Sequence, residues 1–338
     1  MATVVRYNNY FSPFCNDCGE ESSILLIIQH QYCWCRYTTK HSTFYMKKIT
    51  ACLFLLFSVS FVALSQKVNG KLKFEQGQTL EVSMKVKTTI AQQAMGQAID
   101  FNVDATGDHS YKVTNTTEDN TTLNHKVQHI TFTFDGMGQK RNFDSNVEKD
   151  MNGQFGKPIK DMLDKKYDII IDPSGKVMMA MPEKVVLSEM DSRMAIITSM
   201  LKDVLDLVQP PQKGKPSFFK VLPDGEGGKG DAWTTSYQGS SGKVEAGYTI
   251  ADINDSTIVV DFAENSTTIS KAEMMGSETI TKMNNKSTGK IILDRGTGIM
   301  REKTINTVSN GNTESSFGTM PVTSKTTTVI TVKPVMKD

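Results

Sequence analysis

From Gln78 to Ile90 the chain alternates without a break: Leu80, Val82, Met84, Val86 and Ile90 fall on one side, and Glu81, Ser83, Lys85, Lys87 and Thr89 on the other. A strand sorts this pattern into one apolar and one polar surface, because successive side chains point to opposite faces. A helix would scatter the same residues around its circumference. The alternation recurs at Ile99, Phe101 and Val103, at Ile130, Phe132 and Phe134, and at Ile258, Val260 and Phe262. Long Thr-rich strands with one polar face predict an antiparallel sheet, since parallel strands are buried on both sides. Thr106-Gly107-Asp108, Asp135-Gly136 and Asn310-Gly311 are the turn signals expected between them.

One segment breaks the period. Between Pro182 and Pro210, Leu187, Met190, Met194, Ile197, Leu201, Leu205 and Val208 recur at steps of three and four, which predicts an amphipathic helix of roughly seven turns. Pro182 suits its first turn and Pro210-Pro211 ends it. A shorter helix is expected from Lys157 to Lys166, with Ile159, Met162 and Leu163 inward. The expected fold class is mainly β, a β-dominated α+β: a curved antiparallel sheet or half-barrel covered by one long amphipathic helix.

Met46 opens MKKITACLFLLFSVSFVALSQ, where two lysines precede an uncharged run from Ile49 to Leu64 and small residues stand at Ala63 and Ser65. This has the layout of a signal peptide over residues 46–65, cleaved before Gln66. The apolar run is shorter than the roughly 20 residues a spanning helix needs, so no permanent membrane anchor is expected. Residues 1–45 read as a spurious or disordered leader, and residues 66–338 as a single β-rich domain or two packed halves, 66–208 and 231–338. Loop 209–230, rich in Pro, Gly and Lys, would join the halves. The expected location is outside the cytoplasm, periplasmic or extracellular.

All five cysteines, at positions 15, 18, 33, 35 and 52, precede the cleavage site. The pairs Cys15/Cys18 and Cys33/Cys35 imitate half of a zinc ribbon, but the second is one residue too tight, and no metal is expected. Of 38 basic and 37 acidic residues, cleavage removes 5 and 3, leaving 33 against 34. A near-neutral chain offers no electrostatic footprint for nucleic acid.

No catalytic constellation is legible. Gly239-Ser240-Ser241-Gly242 is one residue short of a nucleophile elbow and reads as a hairpin turn. Gly225-Glu226-Gly227-Gly228-Lys229-Gly230 lacks the ending of a phosphate loop and precedes a strand. His125 and His129, four apart, would share a strand face about 13 Å apart, too far to hold one ion, and read as solvated. Ile169-Ile170-Ile171-Asp172-Pro173-Ser174-Gly175-Lys176-Val177 and Ile291-Ile292-Leu293-Asp294-Arg295-Gly296-Thr297-Gly298-Ile299 are two similar hairpins, each turning on an Asp and a Gly. They read as two ordinary hairpins or as a duplication.

With the Gly289-to-Asp294 run, these hairpins and the signal peptide resemble an uncharacterised family of exported β-rich proteins from Gram-negative bacteria, a domain of unknown function, over about Gly70 to Val335. A looser likeness is to the lipoprotein-carrier half-barrels of the cell envelope, curved sheets whose hollow holds acyl chains. That likeness implies a non-catalytic envelope protein binding a lipid or other apolar small molecule between helix and sheet, without a cofactor. The ligand-binding candidates are Leu80, Val82, Met84, Phe132 and Phe134 on the sheet and Met190, Met194, Ile197 and Leu201 on the helix. The alternatives are a structural or interaction protein of the envelope without a pocket and, third, an exported hydrolase.

Overall fold

The computed structural model describes residues 67–94, 97–136, 138–186, 201–239, 241–274, 277–316 and 318–335. Residues 1–65, where a leader and signal peptide are expected, and with them all five cysteines, lie outside the described residues. The strands are β1 (Val68–Asn69), β2 (Thr79–Ala94), β3 (Gln97–Thr116), β4 (Thr121–Gly136), β5 (Gln139–Asp144), β6 (Lys166–Ile171), β7 (Val177–Met181), β8 (Glu226–Gly227), β9 (Ala232–Gly239), β10 (Gly242–Ile253), β11 (Thr257–Met274), β12 (Ser277–Asp294), β13 (Met300–Ser315) and β14 (Gly318–Val335). The helices are α1 (Glu148–Met151), α2 (Gly156–Asp164) and α3 (Lys202–Leu205), the last continued by a 3-10 turn at Asp206–Val208.

The main sheet has the order β7-β6-β4-β3-β2-β14-β13-β12-β11-β10-β9, with β5 also on β4. Its pairings are antiparallel. The last strand returns to the first long one: β14 pairs β2 from Val335↔Thr79 to Val322↔Gln92. That seam joins the strands before and after the 209–231 connection into one sheet.

Strand pairing does not close the sheet, whose edges are β7 and β9, yet it curls strongly. The backbone N–H of Leu72 donates to Pro173 O (2.8 Å), and that of Lys73 to Thr297 O (2.9 Å). Those acceptors lie in the β6–β7 and β12–β13 turns, separated in the sheet by β4, β3, β2 and β14. The two turns are built alike. Asp172 Oδ1 accepts from Ser174 Oγ (2.7 Å) and Lys176 N (2.9 Å), while Asp294 Oδ1 accepts from Thr297 N (2.8 Å) and Thr297 Oγ1 (2.9 Å). Gly175 and Gly298 carry the positive φ, +82° and +72°, that each return requires. Leu72 is buried between them.

The connection 209–231 bridges the open side. Val177 N donates to Lys215 O, Gly70 N to Gly225 O, and the Lys215 ammonium lies over the Tyr237 ring of β9 at 5.1 Å. Phe219, fully buried, packs against Phe74 and Tyr111 on the inner face of the sheet. One end of the curled sheet is thus filled by a core of β-strand residues, segment 67–78 and Phe218-Phe219.

Several expectations change. Among the described residues no long amphipathic helix is evident: Pro182–Val186 is not helical, α3 and its 3-10 turn form one short segment, and residues 187–200 lie outside the described residues. Thr106-Gly107-Asp108 is no turn but the interior of β3, where a Cβ on Gly107 would stand 3.0 Å from Val204 O. The glycine is there because α3 crosses closely above it. Asn310-Gly311 lies within β13, paired on both sides. The shorter helix stands as expected, as α2, with Ile159 and Met162 buried.

Candidate functional site

Register converts the strands into transverse rows on the inner face. One row reads Trp233, Tyr248, Phe262, Gly289, Ile305, Thr328, Val86, Ala105, Phe132, Phe143, from β9 across to β5. Its neighbour toward the filled end reads Ile250, Val260, Ile291, Lys303, Ile330, Met84, Gly107, Ile130. Lys303 is the one charged residue in that row.

Gly289 makes the surroundings of Lys303 possible. A Cβ there would meet Thr304 O at 2.1 Å and Phe262 Cε1 at 2.4 Å, so the Phe262 ring lies across it. Trp233 and Tyr248 stack at 5.3 Å and 8°, Tyr248 and Phe262 at 6.0 Å and 25°, and the Lys303 ammonium stands 5.1 Å from the Phe262 centroid. Loss of hydration holds the pKa of Lys303 below the ordinary lysine value, with Glu264 opposing. Among the described residues no hydrogen bond or ion pair reaches its ammonium group.

Away from the filled end the inner face divides. On β11–β14 it bears hydroxyls, bonded across strands as Ser287–Thr307 (2.9 Å), Thr281–Thr313 (3.0 Å) and, onto β2, Thr326–Thr88 (3.0 Å). On β2–β4 it stays apolar and half-exposed, with Ile90, Ile99, Phe101 and Phe134. The Phe101 and Phe134 rings are 5.8 Å apart.

The sequence candidates therefore separate. Leu80, Val82, Met84 and Phe132 are buried core residues, and Phe132 stacks on Phe143 and meets Phe155 edge to face. Leu201 is buried beside α3. Phe134 alone of the sheet set is half-exposed, while Met190, Met194 and Ile197 lie outside the described residues. Lys303 and Phe262 were missed as a pair because their meeting depends on register across Gly289.

Beneath α3 the contact is filled and polar. His109 Nε2–H donates to Val204 O (3.2 Å), which leaves Nδ1 as the acceptor for His125 Nε2–H (3.1 Å). Nδ1 of His125 is then buried and, among the described residues, without a partner. Tyr167 O–H donates to Leu207 O (2.7 Å) and accepts from Tyr111 O–H (3.4 Å). Burial pushes both phenols up, and drives His109 down to about 4 and His125 to about 3. Both carbonyls belong to the end of the short helix, where intrahelical partners run out.

His129 is not beside His125. A bulge at Gln128 turns it to the outer face, where Nδ1 meets Asp108 Oδ2 (3.1 Å) and Nε2 meets Asp144 Oδ1 (2.8 Å). Burial opposes protonation, but the two carboxylates outweigh it and raise the pKa of His129. A groove of about 580 Å³ adjoins it, lined by the charged Lys85, Lys87, Asp104 and Asp144 together with the apolar Phe132 and Val329. It opens on the outer face of the sheet beside α1, whose Asp150 also lines it.

Residues 118–300 match the model of a family of unknown function, DUF6263. The chain belongs to that family. The DUF6263 match runs from the β3–β4 turn to the first residue of β13 and includes both Asp-Gly hairpins. No curated protein matches this DUF6263 chain. Among solved structures it is similar to lipovitellin, at 8% identity and a TM-score of 0.44, over 79% of this chain and 26% of that one. It also aligns with an outer membrane channel of Pseudomonas putida, at 7% identity and a TM-score of 0.20, over 78% and 98%. At these scores neither likeness bears on function.

Proposed function

We propose that this chain is an exported, non-catalytic binding protein that holds a lipid or other apolar ligand against the inner face of its curled sheet. The observation that carries this reading is the apolar strip of Ile90, Ile99, Phe101 and Phe134, which continues past the filled core and stays half-exposed. Buried apolar surface is the default stabiliser of a fold, so a half-exposed strip bordered by hydroxyls is the arrangement a partly apolar ligand would complete. The ligand would lie along β2–β4, beyond the contact between α3 and the sheet. Export rests on the signal-peptide pattern from Met46. The location would be periplasmic or extracellular.

Native mass spectrometry of the protein from its own cells tests both parts. The expected spectrum is a chain beginning at Gln66 with a co-purifying lipid mass. A chain that keeps residues 46–65 would refute export. Absence of any lipid, with no thermal shift against an envelope lipid panel, would refute ligand binding. The filled contact beneath α3, where Val204 O accepts from His109 and Leu201 is buried, favours a second reading, a structural protein of the envelope, which that last outcome would select.

A further inference from the structure

The rows of the inner face place one lysine where the register calls for an aliphatic residue. Lys303 pairs with Ile291 on one side and Ile330 on the other, both buried. An ammonium group on such a surface loses hydration that only a compensating anion or hydrogen-bond acceptor restores. What Lys303 has is the face of Phe262, an attraction weaker than a charge-assisted hydrogen bond. The inner-face carboxylates nearby are otherwise placed. Glu264 lies in the row of Ser287 and Thr307, and Asp203 of α3 accepts from Thr328 Oγ1 at 3.5 Å. Glu264 acts on Lys303 through space but forms no ion pair with it, so among the described residues the half-buried ammonium has no hydrogen-bonded anion and is complementary to one that the fold does not itself supply.

The dimensions suit one chain. From the row of Lys303, which contains Met84, to the row of Ile90 is six residues along β2. At about 3.4 Å per residue this is roughly 20 Å, somewhat more than the roughly 15 Å that one acyl chain spans in half of a bilayer core. Along that length β3 and β4 present apolar side chains, β2 adds Ile90 beside Thr88, and β11–β14 present hydroxyls alongside the chain.

We propose that the inner face binds a single-chain fatty carboxylate, its carboxylate paired with Lys303 beside the Phe262 ring and its chain along Ile90, Phe101 and Phe134. This rests on the apolar-ligand reading above and adds to it the charge and class of the ligand.

The test compares oleate with oleyl alcohol, equal in chain and unlike in charge, by titration calorimetry on the full mature chain at low micromolar concentration. Oleate is expected to bind at least about tenfold more tightly than the alcohol, the scale of one charge-assisted hydrogen bond. Lys303→Met should erase that preference while still binding the alcohol, and Lys303→Arg should keep it. Lys303→Met restores an aliphatic row and is expected to raise the melting temperature, so folding does not confound the result; Lys303→Gln provides a second neutral variant. Equal binding of oleate and alcohol, or a preference that survives both neutral variants, overturns the proposal and leaves the apolar-ligand reading standing. Phosphatidylglycerol bound more tightly than oleate overturns the choice of a carboxylate. Failure of oleate, alcohol and phosphatidylglycerol alike removes the apolar-ligand reading and this proposal with it.

Discussion

His125 and His129 stand four residues apart in β4, and in an unbroken strand both would face one way. The bulge between Asp108/His109 and Val127/His129 shifts the parity, so one imidazole is sealed beneath α3 and the other lies between two outer-face aspartates. Their effects on stability have opposite signs. His109 and His125 titrate well below the roughly 6.5 of an unfolded histidine. Their contribution is fully present above that value and is lost as the pH falls through it toward about 4 and 3. The raised pKa of His129 works the other way: its contribution is present below the unfolded value and lost as the pH rises through the folded one. Urea midpoints are expected to fall less between pH 7 and pH 5 in His125→Phe than in the parent. His129→Gln is expected to lower the midpoint at pH 5.5 more than at pH 9, and an equal loss at both would contradict the ion-pair assignment. Removing one hydroxyl gives a sharper residue-scale test. Tyr167→Phe strips Leu207 O and Tyr111 O–H of a partner and is expected to cost about 1–3 kcal/mol in urea unfolding.

At the scale of elements, glycine misleads most. Gly107 and Gly311 read as turn residues, yet both lie inside strands, because a crossing element or a neighbouring strand leaves no room for a Cβ. Gly289 has the same cause and a larger consequence, since it seats Phe262 and so the Trp233–Tyr248–Phe262 stack. Gly289→Ala is expected to destabilise by about 1–3 kcal/mol through overpacking. It should also change the near-ultraviolet circular dichroism as the stack separates; an unchanged spectrum would place Phe262 elsewhere. The Asp-Gly turns, by contrast, were legible, because an Asp that accepts local N–H groups and a Gly at positive φ act over a few consecutive residues.

For the whole molecule the decisive contact is Leu72, clamped between two turns with four strands between them in the sheet. Leu72→Ala is expected to cost about 2–5 kcal/mol, as for a buried leucine, and to speed hydrogen exchange at Gly175 and Gly298 together. Protection lost at one turn alone would mean that the clamp does not hold both. The sequence by itself determined the strands, their apolar and polar faces, the antiparallel class and the two Asp-Gly turns, since each depends on local periodicity or on groups a few bonds apart. Only the tertiary structure decided which strands are neighbours, how the last strand meets the first, which face of β4 each histidine takes, and that Lys303 stands in an aliphatic row. Those depend on register and curl, set by contacts between residues far apart in the chain, which no local pattern records.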